Sequence, residues 1–281
     1  IMVAFIFNFE NSDKFILVSL DFPQGKEAMD RVPNPERNKE LSAKYAIEYF
    51  PSVLLMNSAG EEFMRTSNIG VGATEYVEHI KTSATKARQA LVMAQALKQK
   101  YAKADDKAAV VREAVVALKD TPEGASAGST LAEIVRQGIV LDPENKTGLK
   151  KDSLVALVMS GVSSPGENAL AIEMDPKNEL GLLETVVSKE YQGIQGPEGV
   201  TAFLAHAQTL FDCGKIHDVS KVSMVFAVTA YFEMNENGNA EKAKIFAEKA
   251  LALGSLPENV IPMMNQIISG EAEAESEEDG Q

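Results

Sequence analysis

Apolar positions in the first seventy residues come in short runs, whereas beyond residue 85 they recur at helical spacing. Ile1 to Phe5 fits a buried strand, and Lys14 to Phe22 fits a second, stopped by Pro23. Gln24 to Pro35 mixes Pro, Gly and charge and is expected to be a surface loop. Pro35 and Glu36 open a helix carried by Leu41, Tyr45 and Ala46. Ser52 to Met56 is a third strand and Glu62 to Thr66 a fourth. Between them Ser58-Ala59-Gly60 makes a hairpin turn, where Gly60 can take positive φ. A long helix is expected from about Thr74 towards Tyr101.

The second region is helical throughout. Ala87, Ala90, Leu91, Ala94 and Leu97 form one stripe, and Val110, Val111, Ala114, Val115 and Leu118 another; Thr121-Pro122-Glu123-Gly124 separates these from Leu131, Ile134, Val135 and Ile139. An internal echo follows. Leu141-Asp142-Pro143-Glu144-Asn145-Lys146-Thr147-Gly148-Leu149 returns 33 residues later as Met174-Asp175-Pro176-Lys177-Asn178-Glu179-Leu180-Gly181-Leu182. That period suits a helix-turn-helix repeat in which Asp-Pro begins a new helix. Ser163-Ser164-Pro165-Gly166 and Gly193 to Gly199 are loops between such helices.

Composition narrows the chemistry. The 281 residues are 45% apolar, enough to bury a large core in two domains, and no run of 18 apolar residues suggests a transmembrane helix. The chain opens on Ile1 rather than methionine, which leaves room for an upstream segment such as an export signal, and gives no other hint of cellular address. Net charge is −14, and Glu271 to Gln281 carries six acids and no base, as a solvated disordered tail would. An acidic surface disfavours nucleic acid, whose phosphates need Lys/Arg clusters. The lone Cys213 cannot form an intramolecular disulfide and reads as a small core residue near a helix end. His79, His206 and His217 are scattered without metal-ligand spacing, so no metal or cofactor is expected. No Gly-rich phosphate loop is present.

Several stretches resemble a known family. Val18 to Pro23, Asn38 to Tyr45, Phe50-Pro51-Ser52-Val53-Leu54, Ala59-Gly60 and Gly70 are similar to thioredoxin-like proteins, closest to bacterial members, many of them exported, that resemble thiol–disulfide oxidoreductases. The resemblance implies an α/β domain with a mixed sheet, in which the strand at Ile1–Phe5 runs into a Trp-Cys-x-x-Cys helix. Nothing matches that motif: Phe5 passes straight to Ile6-Phe7-Asn8-Phe9-Glu10, and the eight residues between Phe5 and Lys14 cannot hold a crossover helix. A cysteine-bearing segment missing between Phe5 and Ile6, with a second gap near Glu10-Asn11, is one account. A degenerate domain without cysteines is a second, and a different fold is a third. The family's substrate groove carries a cis proline, which the resemblance places at Pro51 beside Phe50; a trans proline opening a strand and a plain core ring are the alternatives. Asp21 falls near that site or at the core edge. Further on, Gly238 to Ala243 and Phe246 to Leu253 look like the second helix of a tetratricopeptide repeat.

The expected organisation is therefore a thioredoxin-like domain over 1–84, a degenerate tetratricopeptide-like helical domain over 85–270 and an acidic tail over 271–281. Two functions follow. The first is a thiol–disulfide oxidoreductase, if the cysteine segment exists, attacking through a thiolate at a helix N-terminus. The second is a redox-inactive protein that binds peptide or protein partners through the Pro51 groove and the helical repeats. Helices that only pack on the first domain, or that build a homo-oligomer, remain open beside both.

Overall fold

In the computed structural model, the described residues are 2–8, 15–21, 31–48, 50–67 and 72–270. The strands are β1 (Met2–Asn8), β2 (Phe15–Asp21), β3 (Ser52–Met56) and β4 (Glu62–Thr66); α1 (Pro35–Lys44) lies between β2 and β3. Ten more helices follow: α2 (Ala73–Lys103), α3 (Lys107–Lys119), α4 (Ala127–Leu141), α5 (Leu149–Met159), α6 (Pro165–Met174), α7 (Leu182–Glu190), α8 (Gly196–Cys213), α9 (Val219–Asn235), α10 (Ala240–Ala252) and α11 (Ile261–Ser269). The chain divides into two compact units, Ile1–Val162 and Ser163–Gln281. The boundary expected at 84/85 falls inside α2, a continuous helix of 31 residues.

The thioredoxin-like α/β fold expected for the front of the chain is corrected here. Among the described residues the chain is predominantly helical, with four short strands in one open sheet of order β2-β1-β3-β4. β1 runs unbroken through the Phe5–Ile6 junction, where the resemblance required a cysteine-bearing helix. There it pairs antiparallel with β2, Phe5 opposite Val18 and Ile6 opposite Leu17. Antiparallel neighbours need no crossover, so the short connection that argued for a missing segment is sufficient as it stands. The suggested second gap at Glu10-Asn11, the Gln24 to Pro35 loop up to residue 30, Gly70 and the acidic tail lie outside the described residues.

β3 is buried at every position because it is covered on both faces, as a continuous apolar run requires. Its alternation divides the contacts. Val53 and Leu55 pack with Phe63, Ile80, Ala84 and Ala87, on the α2 side. Leu54 and Met56 pack with Leu20, Leu41 and Tyr45, on the α1 side. Each such side chain contributes about 1.5–3 kcal/mol of apolar burial.

Beyond β3, β4 would be an exposed edge, but the turn before α4 covers it. Arg65 donates its backbone N–H to Gly124 O at 2.8 Å, Ser126 donates to Phe63 O at 3.1 Å, and Met64 bridges Ala125. Gly124 has φ +76, and a Cβ there would lie 2.0 Å from Arg65 O. The Arg65 guanidinium donates to the carbonyls of Tyr45 and Ala46, past the end of α1, and pairs with Glu62 at 2.8 Å.

The helical part of the first unit closes on Ala94 and Leu97 of α2, Val111 and Leu118 of α3, and Leu131 and Val135 of α4. The two halves of the sequence echo then prove to be the same turn. Asp142 accepts the N–H groups of Thr147 and Leu149, both at 3.0 Å; Asp175 accepts those of Leu180 and Leu182, both at 3.0 Å. Asn145 and Asn178 sit at φ 54 and 51, and each side chain accepts the N–H six residues on, at Lys151 and Glu184. Asp-Pro therefore does not begin a helix. It ends one, and the aspartate reaches forward to the N–H groups opening α5 and α7, which start at Leu149 and Leu182.

Within the second unit, α6 starts with a capping box: Ser164 accepts from Glu167 N–H and Glu167 from Ser164 N–H, with Pro165 in the first turn. α8, α9 and α10 share an aromatic centre. Phe211 lies 5.6 Å from Phe226 and 4.9 Å from Phe246, ring centre to ring centre. Among the described residues no helix is long and apolar enough to cross a membrane.

Candidate binding groove

The walls of the candidate site are placed by polar contacts at the ends of α7, α8 and α9. Buried Glu184 on α7 accepts three hydrogen bonds, from the N–H groups of His217 and Asp218, both at 2.9 Å, and from Asn178 Nδ2 at 2.8 Å. Asn178 also donates to Lys215 O, and the His217 ring bonds Asn178 O at 2.7 Å. One carboxylate thus ties the turn before α7 to the loop that launches α9. Asp218 then caps α9, accepting from the Ser220 hydroxyl at 2.7 Å and from the N–H groups of Ser220 and Lys221. These bonds, the Ser220 hydroxyl's foremost, hold its pKa down at about 2. On the opposite side of α8, Glu190 receives His206 Nδ1 at 2.9 Å, which raises the imidazole pKa above its ordinary 6.5.

α8 has room to present a face because its buried stripe is narrow. Phe203, Ala207 and Leu210 are completely buried and Leu204 is buried at their edge, which leaves Pro197, Val200, Thr201, Ala205 and Gln208, with the rim of Leu204, along an adjoining stripe at helical spacing. That stripe forms one wall of a groove of about 1050 Å³. Its other wall is the corner between α9 and α10, formed by Glu233, Glu236, Asn237, Asn239 and Lys242. Glu233 is buried, and its carboxylate meets Lys242 Nζ at 2.6 Å on one oxygen and Asn237 Nδ2 at 3.0 Å on the other. Asn239 closes the corner by capping α10, accepting from Lys242 N–H at 3.3 Å.

The groove therefore pairs an apolar wall on α8 with an amide- and carboxylate-bearing corner. Such a lining orients a chain through a few polar contacts while side chains bury against the apolar side. Among the described residues no group of three His, Cys, Asp or Glu is placed to hold a metal ion.

Of the residues singled out in the sequence, His206 and His217 help place the walls and the others lie outside the lining. Phe50 and Pro51 lead into β3 in the first unit; their peptide bond is cis, Phe50 is 40% exposed, Pro51 is exposed, and Ser52 after them is buried. Asp21 ends β2. His79 is exposed on α2. Cys213 ends α8 half-buried, its thiol donating to Leu210 O at 3.2 Å. The thiol–disulfide reading is corrected on these grounds: this chain has one cysteine, and β1 is continuous where a Cys-x-x-Cys helix was required. Sequence reasoning passed over Glu233 and Asn237, and took Lys242 only as part of the tetratricopeptide-like stretch. Their one advance sign was the run Asn235 to Asn239, a polar corner between two strongly periodic helices.

No protein-family model, no curated protein and no solved structure matches the chain, so neither the thioredoxin nor the tetratricopeptide resemblance has a match behind it and the functional reading rests on the fold and the groove.

Proposed function

We propose that this chain is a protein-binding protein built on helical repeats, and that it works by holding an extended segment of a partner rather than by thiol–disulfide chemistry. The observation that carries the reading is the groove between α8 and the α9–α10 corner, with Val200 and Leu204 on one side and Asn237 and Lys242 on the other. Helical arrays commonly use such surfaces to bind extended peptides. A second contact through exposed Phe50 and Pro51 belongs to the same proposal for the first unit.

The test is selection of peptides from a random displayed library on the intact chain, followed by affinity measurement on Thr201→Arg. Thr201 is exposed at the groove wall, so a long charged side chain there fills the groove without entering the core. The expected result is enrichment of peptides whose affinity falls at least about tenfold in the variant, while thermal unfolding is unchanged. Absence of enrichment, or enriched peptides indifferent to Thr201→Arg, would overturn it.

A further inference from the structure

We propose, resting on the reading of the groove as a peptide site, that its occupant is an extended segment carrying a lysine or arginine beside an apolar residue. The donors and acceptors of the lining point to it. Lys242 is directed to Glu233, and Asn237 Nδ2 donates to the same carboxylate. Gln208 Nε2 donates to Asp212 at 2.9 Å, and the Thr201 hydroxyl to Pro197 O at 2.9 Å. In the two amides the nitrogen must face the carboxylate, so the orientation is set by chemistry.

Each of these four side chains thus already has an acceptor within the chain, two of them on the exposed surface of α8 itself, while Lys242 and the two amides keep further N–H groups. The oxygens of Asn237 and Gln208, the lone pairs of Thr201 and the exposed carboxylate of Glu236 are left to accept, and among the described residues Glu236 is the one full charge in the lining besides the Glu233–Lys242 pair. A charged acceptor in the lining favours a charged donor in the ligand.

Charge points the same way. Lys242 neutralises Glu233, which leaves Glu236 uncompensated in the lining. Glu198 and Glu241 are exposed beside the two walls, next in sequence to Pro197 and Lys242. Residues 163–270 carry fourteen acidic and seven basic side chains, so the surrounding field attracts cations. The apolar neighbour of the cation would bury against Val200 and Leu204. An acidic segment would meet Glu236 and the same acidic field.

The test uses the full chain and three fluorescein-labelled peptides of one length: a Lys-Leu-Lys core flanked by glycines, its Glu-Leu-Glu counterpart and its Gln-Leu-Gln counterpart. Fluorescence anisotropy should show the lysine peptide binding about tenfold more tightly than the glutamate peptide. Glu236→Gln should weaken the lysine peptide about threefold, the scale of an exposed ion pair, with unchanged thermal unfolding. Glu258→Gln, an exposed acid outside the lining, should leave it unchanged and so separates the groove from general attraction. Equal or tighter binding of the glutamate or glutamine peptide would overturn the cationic preference and leave the groove as a peptide site. Equal losses in Glu236→Gln and Glu258→Gln, or none in either, would overturn it as well. Failure of all three peptides, together with an empty library selection, would remove the peptide site itself.

Discussion

The ammonium of Lys242 lies 2.6 Å from the carboxylate of Glu233, whose side chain is only 3% exposed, and the pair forms the inner wall of the groove. A buried carboxylate losing its cation keeps its desolvation cost and loses the attraction that offset it. Lys242→Met should therefore lower stability by about 2 kcal/mol in urea unfolding, while Glu233→Gln combined with Lys242→Met should recover most of that loss. An additive double variant would show that the two side chains do not act as a pair.

Gly124 joins the sheet to the helices at a place where no side chain fits. Its positive φ, and the 2.0 Å that would separate an added Cβ from Arg65 O, predict that Gly124→Ala costs about 2–3 kcal/mol. The loss should appear as a lower unfolding midpoint and as faster exchange of the Arg65 and Ser126 amides, which bond across this junction. A variant as stable as the parent would mean that the turn is not held against β4.

Two aspartates predict the acid side of the stability profile. Burial works to raise the Asp142 pKa, but hydrogen bonds from the Thr147 hydroxyl and from the N–H groups of Thr147, Leu149 and Lys146 outweigh it and bring it below the usual value. Asp218 falls from 3.8 to about 2, chiefly through the Ser220 hydroxyl. A depressed folded pKa contributes stability that is present above the unfolded value and disappears as pH falls through the folded one. For Asp218 that window runs from 3.8 down to about 2. The unfolding temperature should drop across it, and Asp218→Asn should flatten its share of the slope.

His206 predicts the opposite sign at higher pH. Its hydrogen bond to Glu190 raises the folded pKa above 6.5 against the pull of burial. The contribution of the pair is complete below 6.5 and is lost as pH rises through the folded value. Titration followed by NMR should place the His206 ring above 6.5, and Glu190→Gln should bring it back down. A ring that titrates at or below 6.5 in the parent chain would contradict the pairing.

Local patterns along the chain were more legible than their assembly. Ser52–Met56 and Glu62–Thr66 are strands where the short apolar runs and the Gly60 turn placed them, and α2 extends the periodic stripe from Ala73 to Lys103. The direction of β1 was not legible, because a seven-residue apolar run pairs equally well either way and only its partners decide. The 33-residue echo was visible, but its meaning was not. The proline after Asp142 and after Asp175 suggests a helix start, whereas the two carboxylates act seven residues ahead on Leu149 and Leu182. The groove was the least legible part, since Val200, Glu233 and Lys242 come together only when α8, α9 and α10 pack around Phe211, Phe226 and Phe246.

Whether the groove holds a partner is decided by amide and side-chain NMR of the intact chain during titration with a library-selected peptide. Saturable shifts should concentrate at Val200, Thr201, Ala205, Asn237 and Asn239, with the Lys242 ammonium among them. Shifts confined to other surfaces, or none at concentrations that saturate binding, would contradict the assignment of the groove as the site that holds a partner.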